Sequence, residues 1–141
     1  MAEDKKKDTQ NFNAPPGGAP ASDATKAAAK PQVTRVERCC VSEYWAVIET
    51  NGTLVRGRNV VRAKRLTTGQ YEVVFTNDVS GGVYVASIGR PGIFTEPSGQ
   101  IGVALRCCLT GTEVNKGVWV DTHDSSGAYS DRAFHLIVMT D

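Results

Sequence analysis

The sequence predicts an all-β protein: one antiparallel β-sandwich or jelly-roll-like domain over residues 32–141, behind an extended or disordered N-terminal arm over residues 1–31. Three observations predict it. From Val33 onward, turn-forming pairs recur roughly every eight to twelve residues: Asn51-Gly52, Thr68-Gly69, Ser80-Gly81-Gly82, Pro91-Gly92, Ser98-Gly99 and Ser126-Gly127. The stretches between them are short, rich in β-branched residues and alternate with period two. Outside the arm, no stretch of about ten residues shows the 3.6-residue period of an amphipathic helix.

The arm comes first. Residues 1–30 hold one aromatic residue, Phe12, and no Val, Ile, Leu, Tyr or Trp; Ala, Pro, Gly, Lys and Asp dominate. Such a segment cannot bury enough apolar surface to offset roughly 1–2 kcal/mol per residue of backbone ordering, so order is expected only on a partner. Strands are expected near 33–39, 44–50, 53–57, 59–66, 70–77, 83–89, 100–108, 117–122 and 132–139. Asn51-Gly52 suits a tight type I′ hairpin, which needs positive φ at both turn positions. In the clearest strand, Tyr71, Val73 and Phe75 share one face and Glu72, Val74 and Thr76 the other. Ile101, Val103, Leu105 and Cys107 line up similarly. Phe134, Leu136 and Val138 alternate with His135, Ile137 and Met139, and two apolar faces predict a central strand covered on both sides. Eight or nine strands in this length suggest two packed sheets.

Composition bounds the function. The 141 residues carry a formal net charge of +1, and the domain alone is nominally neutral, so nucleic acid is disfavoured as a partner. No run approaches the roughly 18–20 apolar residues of a membrane span. The N-terminus lacks the apolar stretch of a signal peptide, which predicts synthesis in the cytoplasm, with virion incorporation or release afterwards as the route out.

The paired cysteines Cys39-Cys40 and Cys107-Cys108 are the least common feature. Neighbours on a strand point to opposite faces, so one Cys of each pair could meet across adjacent strands. Three states are open: buried free thiols, one or two disulfides, or a metal site. A disulfide between the pairs would close a loop of nearly seventy residues, worth about 4 kcal/mol. A four-thiolate zinc site usually spaces its ligands C-x₂₋₄-C, a gap these pairs lack. His123, beside Asp121, Asp124, Ser125 and Ser126, invites comparison with a Ser-His-Asp site, but no nucleophile elbow accompanies it; a solvated turn is the expectation, and His135 reads as a packed or edge histidine. No catalytic residue and no cofactor is implied. The best ligand-binding candidates are Arg56, Arg58, Arg62, Lys64 and Arg65, of which Arg58, Arg62 and Lys64 share a parity and would line one face as a stripe for an anionic ligand or acidic glycan. Against this, Glu49 or Glu72 could pair with them. Tyr129, in a loop-like stretch, is the aromatic best placed to meet a glycan.

Asn59-Val-Val-Arg-Ala-Lys-Arg-Leu-Thr-Thr-Gly-Gln-Tyr-Glu-Val-Val-Phe-Thr-Asn-Asp-Val, followed by Val83-Tyr-Val-Ala, resembles a pattern in distal domains of phage tail fibres. A longer pattern is similar to an uncharacterised β-domain of bacterial proteins, many of them secreted: Trp45-Ala-Val-Ile, Asn51-Gly-Thr-Leu-Val-Arg-Gly, Thr68-Gly-x-Tyr-Glu-Val-x-Phe and Asp131-Arg-x-Phe-His-Leu. The resemblance covers about residues 45–139 and implies a β-sandwich; its motifs mark strands and turns and carry no chemistry. The resulting expectation is a non-enzymatic structural protein of a virion or another multi-subunit assembly. Its sandwiches would form a homo-oligomer, with a trimer among the candidates, and its arm would contact neighbouring subunits. The alternatives are a module that recognises a glycan or cell surface, and a metal or redox site at the cysteines.

Overall fold

A computed structural model describes residues 41–141, so the N-terminal arm, the strand expected at 33–39, and Cys39 and Cys40 lie outside the described residues. Eight strands follow in order: β1 (Ser42–Ile48), β2 (Leu54–Arg58), β3 (Val60–Thr67), β4 (Gln70–Phe75), β5 (Val83–Ile88), β6 (Gly99–Leu105), β7 (Gly117–Asp124) and β8 (Phe134–Thr140). They form two four-stranded antiparallel sheets, a front sheet ordered β2-β1-β8-β5 and a back sheet ordered β3-β4-β7-β6. This is the β-sandwich that the period-two pattern predicts.

The core follows from strand parity. Tyr44, Ala46 and Ile48 of β1 and Phe134, Leu136 and Val138 of β8 meet Tyr71, Val73 and Phe75 of β4 and Val118 and Val120 of β7, all essentially inaccessible. Each buried side chain of this size contributes roughly 1.5–3 kcal/mol. Two edge-to-face aromatic pairs bridge the sheets: Tyr44 with Phe75 at 5.6 Å and Tyr71 with Phe134 at 5.2 Å.

The turn motifs acquire a physical reason at Asp131. Its carboxylate accepts from the backbone N–H of Gly69 at 2.8 Å and Arg65 Nε at 3.0 Å, and at 3.1 Å it shares the Tyr71 hydroxyl proton with the nearer Thr50 O at 2.8 Å. The Thr68-Gly-x-Tyr turn is thereby fastened to the segment entering β8. Gly69 has φ +67, and a Cβ there would collide with the carbonyl oxygen of Thr122, so this position needs glycine.

Four expectations need correction. The β1–β2 turn is not type I′: Gly52 has φ +87 and its N–H bonds Glu49 O, but Asn51 is not among the residues with positive φ. The Asn51 carboxamide oxygen accepts from Thr53 N instead. The parity expected to put Arg58, Arg62 and Lys64 on one face does not carry across the junction of β2 and β3. Asn59, at φ +59, turns the chain from the front sheet into the back sheet, with its side chain donating to Glu43 O. Strand β6 stops at Leu105, so Cys107 and Cys108 stand beyond its end. Finally, β8 is central but covered on one side only, for Ile137 and Met139 are exposed.

Candidate functional site

The outer face of the front sheet is where the buried pattern fails. Its registers stack the outward side chains in three rows across the strands. The first is Glu43–Met139–Val83, the second Arg58–Trp45–Ile137–Val85, and the third Arg56–Val47–His135–Ser87. Val83, Val85, Ile137 and Met139 are exposed, Ile137 at 49%. Together with half-buried Trp45 they make a continuous apolar surface, and between the first two rows lies a hollow of about 310 Å³ lined by Glu43, Trp45, Val85, Ile137 and Met139. A folded surface always exposes scattered apolar atoms; here they are contiguous across three strands.

The β5–β6 loop adds to it. Arg56 Nη1 donates to Pro91 O at 3.3 Å, and His135 Nε2 lies 3.1 Å from Arg90 O, so third-row side chains hold the loop at that end of the face. Glu96 braces it further by pairing with Arg90 at 2.5 Å and accepting from Ala133 N at 3.0 Å. At its tip Ile93 is 93% exposed and Phe94 73%. Sequence reasoning missed both residues, although two large apolar side chains in a segment bounded by Pro91-Gly92 and Pro97 were a usable signal.

The basic candidates do not form one stripe. Because Asn59 redirects the chain, Arg56 and Arg58 face outward from the front sheet, Arg62 and Lys64 outward from the back sheet, and Arg65 turns to Asp131. Arg58 approaches Glu43 at 4.0 Å. Arg62 grips Glu113 with two hydrogen bonds of 3.0 and 2.8 Å and reaches Glu72 at 2.6 Å; Arg106 meets the other Glu72 oxygen at 3.0 Å. Burial alone would raise the Glu72 carboxyl, but Arg62 and Arg106 outweigh it and hold it below the usual carboxylate range. The network alternates in sign and leaves exposed Lys64 as the outlying cation.

Cys107 and Cys108 are disulfide-bonded to each other, and Cys39 and Cys40 lie outside the described residues. Past the end of β6 the alternation of faces lapses, and Cys108 adopts φ +67, which turns its side chain back to its neighbour. Arg106 stacks over Trp119 at 5.2 Å beside them. Among the described residues no three His, Cys, Asp or Glu side chains gather to hold a metal ion.

His123 is engaged on both ring nitrogens, at 3.3 Å from Asp121 Oδ1 and 3.1 Å from Gly127 O. Ser126 Oγ donates to Asp124 and Ser125 Oγ meets Ser98, so neither serine is bonded to the imidazole. Tyr129 is exposed and lies against the His123 ring at 4.5 Å. Among the described residues no helix is long and apolar enough to cross a membrane. No family model, curated protein or solved structure matches the chain.

Proposed function

We propose that this protein is a non-enzymatic assembly module that associates with copies of itself through the outer face of its front sheet. The observation that carries the reading is the continuous exposed apolar surface of Trp45, Val83, Val85, Ile137 and Met139. Leaving it in water forgoes roughly 25 cal/mol per Å² that burial would return. A multi-subunit setting of the virion kind agrees with the motif resemblance, and the composition of residues 1–31 suits an arm that contacts neighbours.

The test is the particle mass of the full chain by light scattering across a dilution series, with and without Ile137→Lys. A lysine at this half-exposed position leaves the fold intact by circular dichroism and places a charge in the contact. The native chain exceeds the monomer mass and the variant does not. Equal masses for the two would refute the assignment of this face.

A further inference from the structure

We infer that the face closes on a second copy of this chain about a two-fold axis lying in the interface and running across the strands, so that the Ile93–Phe94 tip of each copy seats in the hollow of the other. The inference rests on the reading of the front sheet as the association surface and adds its partner geometry.

The argument is the polarity of the face. Its larger and more apolar hollow lies at the first-row end, between Glu43, Trp45, Val85, Ile137 and Met139, while a second of about 250 Å³, edged by Arg56 and His135, lies between the second and third rows. The apolar tip is tethered at the opposite, third-row end through Arg56 and His135. Among the charges, Glu43 stands in the first row, 4.0 Å from Arg58 of the second, and Arg56 stands in the third. A two-fold axis across the strands exchanges the ends. It lays each tip over a hollow and brings Glu43 of one copy to Arg56 of the other, twice. An axis parallel to the strands would instead oppose tip to tip, hollow to hollow and Glu43 to Glu43. A head-to-tail arrangement would also match tip to hollow, but would leave one of each free unless its rotation closed into a ring of three or more copies.

Area points the same way. Four strands of about seven residues make a flat footprint of roughly 20 by 23 Å, or about 450 Å². A standard interface covers about 800 Å² per partner. The accessible surface of a face studded with side chains exceeds its flat outline, and the two exchanged tips add to it, so the contact reaches the size a dimer needs.

The experiment measures the self-association constant of the full chain by sedimentation equilibrium for the native protein, Phe94→Ser, Glu43→Arg, Arg56→Glu and the double variant Glu43→Arg/Arg56→Glu. All three positions are exposed, so folding is unaffected and is checked by circular dichroism. The expected result is a dimer that Phe94→Ser weakens at least roughly tenfold. Glu43→Arg weakens it as well, and the double variant binds more tightly than Arg56→Glu alone, although it does not restore the hydrogen bond that Arg56 donates to Pro91 O. If Ile137→Lys dissociates the particle while Phe94→Ser and the charge variants leave it unchanged, this two-fold geometry is wrong and the assignment of the face stands. A trimer, or a mass that grows without limit, overturns the two-fold closure. A native chain that stays monomeric overturns both.

Discussion

At the scale of single residues, Asp131 does most to hold separate pieces of chain together. It accepts from Gly69 and Arg65 at once and shares the Tyr71 hydroxyl proton with Thr50 O. Burial pushes its carboxyl up, yet the hydrogen bonds from Arg65, Gly69 and Tyr71 win and hold it below the usual range. A carboxyl with a depressed folded value stabilises the fold above its unfolded value and ceases to as pH falls through the folded one. Acid should therefore loosen this tie below about pH 4. We expect Asp131→Asn to lower the unfolding free energy by about 1.5–3 kcal/mol at neutral pH in urea titration, and to flatten the acid limb of the stability curve. Tyr71 responds at the other extreme. Burial, with Asp131 beside it, pushes its hydroxyl up to about 12, so its contribution is intact below about pH 10 and fades as pH rises through the folded value. The cysteine pair is a quieter case. A bond between adjacent residues closes no long loop, so reducing Cys107–Cys108 should change stability by less than ~1 kcal/mol. A loss near 4 kcal/mol would instead require the long-range link that the sequence alone allowed.

At the scale of elements, the β3–β4 hairpin shows what a sequence can and cannot specify. Its strands were legible because Tyr71, Val73 and Phe75 alternate cleanly, and all three are buried. The Thr68-Gly69 turn was legible as a turn, but its tie to Asp131 was not, because sixty-two residues separate Gly69 from its acceptor. Gly69→Ala should cost at least ~2 kcal/mol, since it combines positive φ with a Cβ driven against the Thr122 carbonyl; a thermal melt within a degree of the native one would contradict that. The basic stripe failed for a related reason. Parity counts residues along a strand, but one left-handed residue, Asn59, divides the run between two sheets. Likewise Cys107 kept its parity on paper while the strand had already ended at Leu105.

At the scale of the whole molecule, the sandwich was legible and its outward business was only half so. Period two identifies two apolar faces on β8 but cannot say whether a second layer covers the outer one. Here the inner face, Phe134, Leu136 and Val138, makes the core, and on the outer face Ile137 and Met139 are exposed. Trp45 sits in the second row of that surface, paired in register with Ile137, and supplies an intrinsic reporter. The most direct measurement is the fluorescence of the full chain carrying Trp119→Phe, which leaves Trp45 as its single tryptophan, recorded as protein concentration rises. The account predicts that the emission shifts to the blue as association removes the ring from water, and that Ile137→Lys abolishes the shift. Emission unchanged across a concentration range in which the particle mass rises would show that the chain associates through some other surface.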